Sequence, residues 1–87
     1  MTTTAAHDMT VSRYTDDGGM VWYGLSMQGT PVMPPQRDKA RVLAEVSRRL
    51  EAYRLRYGRT YETLVMPTVE LWDGDKGELL PYDSATL

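Results

Sequence analysis

The stretch Gly24-Leu25-Ser26-Met27-Gln28-Gly29 comes closest to a nucleophile elbow, the strand-to-helix turn that presents a serine between two glycines. Its second glycine falls one position late. The one histidine, His7, lies in a small polar stretch rather than where Ser26 would need a base. The pattern reads better as a strand running into a glycine turn. Asp73-x-Asp75 matches the opening of a calcium loop, but the later positions would be Gly77, Glu78 and Ser84, where that loop needs a ligand, a glycine and a glutamate. It reads as a hairpin turn. Glu62, Glu70 and Glu78 could do acid–base work, yet no spacing brings two of them together. Gly18-Gly19 precedes a strand and not a helix, so it lacks the context of a phosphate loop. The expectation is a non-enzyme with no cofactor and no metal.

Two surfaces hold more promise. On a helix whose buried stripe centres on Val46, the residues Arg37, Arg41, Ala44, Arg48, Ala52, Leu55 and Arg59 fall on the opposite side. Arginine beside an apolar leucine is typical of an interface, because the guanidinium stem covers apolar area. The competing reading is an ordinary solvated face with local pairs such as Glu45–Arg49 and Arg48–Glu51. The second surface is the outer face of an N-terminal hairpin, where Met9, Val11, Arg13, Met20 and Trp22 would lie together, with Arg13 over Trp22 as a cation–π pair. The alternative is that a terminal segment covers them. The candidate partner-binding residues are therefore Arg13, Trp22, Arg41, Arg48, Leu55 and Arg59.

These residues must be positioned by a small set of elements. Met9 to Met27 reads as a β-hairpin turning at Asp16-Asp17-Gly18-Gly19. With Asp17-Gly18 as a two-residue loop, Arg13 pairs with Trp22 and Val11 with Gly24 on the outer face. Tyr14 then pairs with Val21, Ser12 with Tyr23 and Thr10 with Leu25 on the core face. Prolines 31, 34 and 35 mark a loop, and a helix is expected from about Pro35 to Tyr57, with Asp38 near its start and Gly58 past its end. Its apolar stripe is Val42, Leu43, Val46, Leu50, Tyr53 and Tyr57. Thr60 to Trp72 predicts one or two strands with a break at Pro67 that puts them at a sheet edge. After the turn at Asp73 to Gly77, Glu78 to Tyr82 reads as a short closing strand. The fold class is thus α+β: a small, mostly antiparallel sheet in ββαβ(β) order with one helix packed on one face. Residues 1–8 are expected to be a loose tail and 9–87 a single domain.

An 87-residue chain supports one modest core and no deep cleft. Ten Lys+Arg against twelve Asp+Glu do not predict a general nucleic-acid coat. The charges are segregated: Arg37 to Arg59 carries eight basic and three acidic residues, and Glu62 onward carries six acidic and one basic. These halves either attract each other within the fold or meet a charged partner. The absence of cysteine excludes disulfides and thiolate metal sites and fits a reducing cytoplasm. No secretory signal and no apolar run of membrane-spanning length is read, so a soluble cytoplasmic protein is expected. The absence of Phe, and two Lys against eight Arg, suggests a GC-rich genome, bacterial or that of a bacterial virus or plasmid.

Over residues 14–50 the hairpin with Asp-Gly-Gly at its turn, followed by a helix, resembles HicB-type antitoxins. The chain departs from their pattern in having no proline between Gly24 and Gly29, and no residue role is carried over. The residues themselves predict a non-catalytic protein-interaction domain, an accessory regulator or inhibitor of a bacterial virus or mobile element. It would bind a larger protein or form a homodimer. The alternative is a small nucleic-acid binder using Arg37, Arg41, Arg48 and Arg59, with no membrane partner in either case.

Overall fold

A computed structural model describes residues 8–58 and 65–82. The expected loose tail before residue 8, the strand assignment over 60–64 and the candidates His7, Arg59 and Glu62 lie outside the described residues. Five strands form one sheet: β1 Met9–Thr15, β2 Val21–Met27, β3 Thr30–Pro31, β4 Val69–Asp73 and β5 Glu78–Pro81. A single helix, α1, spans Lys39–Tyr57. The strand order is β3-β2-β1-β4-β5. Three of the strand pairs are antiparallel, but β1 and β4 run parallel, so the α+β sheet is mixed. That parallel pair is possible because α1 carries the chain back across the sheet between β3 and β4.

The hairpin register is one residue away from the sequence-based expectation. Thr15 pairs with Val21, Tyr14 with Trp22, Arg13 with Tyr23 and Val11 with Leu25. The cause lies in the turn. The loop has three residues, Asp17-Gly18-Gly19: Gly19 N–H donates to Asp16 C=O at 3.0 Å, and Asp16 N–H donates to Met20 C=O at 2.8 Å. Gly19 has φ +83°, the left-handed conformation that completes a type I turn with a bulge. Adding one loop residue shifts every pair and exchanges the faces of β1 relative to β2. The expected core side of β2 is kept, with Leu25 buried and Tyr23 and Met27 packed against the core. On β1 the buried residues are Met9 and Val11, not Thr10, Ser12 and Tyr14.

The helix begins four residues later than expected. Gln36 is held in an extended bridge with Tyr23 by two 2.7 Å backbone bonds, which keeps Pro35 and Gln36 out of the helix. Asp38 is the N-cap, its carboxylate accepting from Ala40 N–H at 3.0 Å. Val42 and Val46 are fully buried against Met9, Val11, Leu25 and Leu71, with Leu50 at the margin. Pro67 precedes β4 and is itself buried, so the strand after it is free to pair on both sides. The expected edge position of this segment is therefore not found: β4 lies between β1 and β5. The sheet edges are β3, which is two residues long and ends in Pro31, and β5, which ends in Pro81.

The register has a direct test. Val11→Ala should cost about 2 kcal/mol in chemical denaturation, as expected for truncating a buried side chain. Ser12→Ala, on the opposite face, should change stability by less than about 0.5 kcal/mol. The register expected from the sequence predicts the reverse order.

Candidate functional site

The side of the sheet away from the helix carries an aromatic face. Trp22 and Tyr14 are direct cross-strand partners between β2 and β1. Trp72 of β4 is opposite Ser12 on one side and Leu79 of β5 on the other. Since alternate residues share a face, Tyr14, Trp22, Trp72 and Leu79 form one band across four strands. Tyr14, Trp72 and Leu79 are 38%, 40% and 54% exposed, and Met20 at the turn is 44% exposed. A sheet covered on one face by a helix ordinarily turns polar residues to the other. The band departs from this where Thr10, Ser12 and Ser26 conform to it.

Two turns frame the band and both carry aspartates. The Asp16 carboxylate accepts from Gly18 N–H and Met20 N–H at 2.9 Å each and from Trp22 Nε1–H at 2.8 Å. These bonds, that of the Trp22 indole foremost, hold the Asp16 carboxyl below the ordinary aspartate pKa. Asp75 accepts from Thr15 N–H and Thr15 Oγ1–H at 2.8 Å each, which lowers its pKa in the same way. Both carboxylates are thus kept ionised chiefly by neutral donors, with a smaller contribution from the charges of Arg37 on Asp16 and Arg13 on Asp75. Gly74 closes the ladder between the turns, its N–H donating to Arg13 C=O at 2.7 Å. A Cβ at Gly74 would lie 3.0 Å from Arg13 O and 3.0 Å from Tyr14 Cβ, with Trp72 Nε1 at 3.7 Å. Only glycine lets Tyr14 and Trp72 flank this point.

The expected Arg13–Trp22 cation–π pair does not form, because the register puts the two on opposite faces. Arg13 lies on the helix side, where its Nε is buried without a hydrogen-bond partner. Trp22 is on the outer face as expected, half-buried and engaged with Asp16. Met9 and Val11 leave the outer face for the core.

On the helix, Arg41, Ala44, Arg48 and Ala52 are exposed, and Leu55 is 52% exposed. Arg48 is not free, and its partner is Glu45 and not Glu51: Nε to Oε2 is 3.0 Å, with a second bond through Nη2. The expected Glu45–Arg49 pair is present at 2.9 Å. Glu51 is taken by Arg54. The one cation–π contact described sets Arg56 5.4 Å from the Tyr57 ring. The sequence reading missed Tyr14 and Leu79 and left Trp72 unplaced. Counting the Asp17-Gly18-Gly19 loop as three residues would have put Tyr14 beside Trp22.

Among the described residues no group of three or more His, Asp or Glu is arranged to hold a metal. Asp73, the first residue of the calcium-like pattern, is buried, and its Oδ1 accepts from Asp75 and Lys76 N–H at 3.1 and 3.2 Å, as in an ordinary Asx turn. No described helix is long and apolar enough to cross a membrane.

Two outcomes test this geometry. Gly74→Ala should destabilise the fold by about 1–3 kcal/mol in urea denaturation, since backbone stands in the way of its Cβ. The Asp16 pKa is lower in the folded than in the unfolded chain. Its stabilisation is therefore present above the ordinary aspartate value of about 3.9 and is lost as pH falls through the depressed folded value. The Trp22 indole N–H resonance should follow that acid titration in wild type and not in Asp16→Asn.

Comparison with known proteins finds no family model, no curated protein and no solved structure that matches this chain, so the resemblance to HicB-type antitoxins gains no support from them.

Proposed function

We propose that this domain is a non-catalytic protein-interaction module that binds a larger protein through the outer face of its sheet. The observation that carries the reading is the exposed band of Tyr14, Trp72 and Leu79 beside Trp22. Aromatic side chains bring a large apolar contact area at low entropic cost and are enriched where interfaces concentrate their energy. The band sits on strands, so its geometry is set before a partner arrives. An accessory regulator or inhibitor would act from such a face by covering part of its target.

Nucleic-acid binding through Arg41 and Arg48 is the second reading. It is favoured by the six cations against two carboxylates on α1. It is weakened by Glu45 and Glu51, which hold Arg48, Arg49 and Arg54 in three ion pairs. Releasing those arginines to phosphate would mean breaking the pairs.

Affinity capture from lysate of the source cells, with and without nuclease, separates the readings. A protein retained after nuclease by wild type, and lost with a Tyr14→Ser/Trp72→Ser double variant, is the expected result. Retention by that variant, or capture of nucleic acid that Arg48→Glu abolishes, would overturn it. Sedimentation of the purified chain tells a heteromeric partner from a homodimer.

A further inference from the structure

We infer that the cavity between the C-terminal half of α1 and the adjoining end of the sheet binds a small aromatic oxyanion, a single ring carrying a carboxylate or a phosphate, with Arg56 as its main anchor and Arg49 as a second donor. This site is separate from the outer face of the sheet and does not rest on the interaction-module reading.

The cavity holds about 200 Å³. Its sheet side is apolar, made by Met9 of β1, Met27 of β2 and the buried Pro67. Its helix side presents Arg49, Tyr53, Arg56 and Tyr57, whose spacing of three and four puts them on one face. The Tyr53 and Tyr57 rings are 4.6 Å apart and inclined at 50°. The Arg56 guanidinium is 5.4 Å from the Tyr57 ring, a contact that leaves its N–H groups open to an acceptor. Among the described residues Arg56 has no ion pair. Arg49 donates Nε–H to Glu45 at 2.9 Å, but its Nη1 is directed at Met27 Sδ at 3.4 Å. A thioether is a weak acceptor, so a charged donor faces the cavity with little to lose on turning to an oxyanion.

Charge, shape and size each restrict the ligand. Arg48, Arg49 and Arg56 line the cavity against the one carboxylate of Glu45, a surplus of two positive charges. Asp8 and Glu70 line a different cavity, beside Thr10 and Thr68. An oxyanion can take the N–H groups of Arg56 and the Nη1 side of Arg49 while Glu45 keeps Arg48 and Arg49, so no ion pair has to break. A cation would be repelled, and a neutral ring would leave Arg56 without a counter-charge. The tyrosine pair on one side and the methionines and proline on the other favour a flat apolar body between them. Sites for drug-sized ligands hold roughly 300–1,000 Å³. This smaller space suits one ring with its charged group, and not a nucleotide or a peptide.

The test is an amide NMR titration of the full 87-residue protein with phenyl phosphate, benzoate, inorganic phosphate and benzyl alcohol at matched ionic strength. The variants are Arg56→Gln, Arg49→Gln and Tyr53→Leu, with Lys76→Gln removing a cation at the opposite end of the sheet. Arg56 and Lys76 are exposed, so their replacement spares the core, and thermal melts serve as the folding control for all four. Phenyl phosphate, benzoate or both should shift the amides of Met27, Ala52, Tyr53 and Arg56 saturably. Each that does should bind at least about tenfold more tightly than inorganic phosphate or benzyl alcohol, since these lack the ring or the charge. Affinity should fall about tenfold in Arg56→Gln, severalfold in Arg49→Gln and Tyr53→Leu, and stay unchanged in Lys76→Gln. Inorganic phosphate binding as tightly as phenyl phosphate would mean anions held loosely by surface arginines, and would overturn the inference. So would equal binding of benzyl alcohol, a loss in Lys76→Gln matching that in Arg56→Gln, or the absence of saturable shifts at the cavity. Each of these results leaves the reading of the outer face as it was.

Discussion

The carboxylate of Asp16 governs more of this molecule than any other single group. It gathers the N–H groups of Gly18 and Met20 and the indole N–H of Trp22 into one three-way bond. That closes the loop at three residues, and the loop length sets the hairpin register. The register in turn decides that Val11 is buried while Tyr14 faces outward. Because β1 is the middle strand of five, the decision spreads to both neighbours. Leu71 is opposite Val11 and joins the core, and Trp72 is opposite Ser12 and joins the outer face. A turn carboxylate thus sorts residues as far away as β5, where Leu79 follows Trp72.

The helix side obeys a separate logic. Val42 and Val46 supply fully buried contacts, and Leu50, on the same stripe, packs against them at the margin of the core. The polar side of α1 is organised by its own ion pairs. Those pairs are exposed and individually weak. Their main effect is on availability: an arginine chelated by Glu45 or Glu51 is a poorer ligand for anything else. The two layers therefore differ in kind. One is covered by paired charge, and the other leaves aromatic rings toward solvent.

Much of the fold was legible in the sequence because it depended on signals that act locally. Asp-Gly-Gly marked the first turn, the spacing of Val42, Val46 and Leu50 marked the helix, and alternation of Val21, Tyr23, Leu25 and Met27 marked the buried side of β2. What failed was non-local or depended on counting. A loop of two or three residues looks alike in Asp16-Asp17-Gly18-Gly19, and choosing two placed Arg13 beside Trp22. The alternation of β1 is ambiguous, since Thr10, Ser12 and Tyr14 compete with Met9, Val11 and Arg13 for the core side. The parallel pairing of β1 and β4 joins residues some sixty positions apart, and no short-range pattern encodes it. Of the candidate surface, Trp22 was found from the alternation of β2 and Leu55 from helical spacing opposite Val46. Tyr14, Trp72 and Leu79 required the correct register.

The separation of charge between layers has one more consequence. Helix and sheet are stacked, with cations in excess on one and carboxylates on the other, so the molecule has an electric dipole along its thickness. Any charged surface it approaches exerts a torque on it before contact, acting over roughly the 8–10 Å that salt leaves unscreened. Of its many possible approach orientations, diffusion in such a field favours the ones that lead with the aromatic side toward positive charge. The layering thus acts on the rate and orientation of encounter, a property distinct from the strength of whatever contact follows.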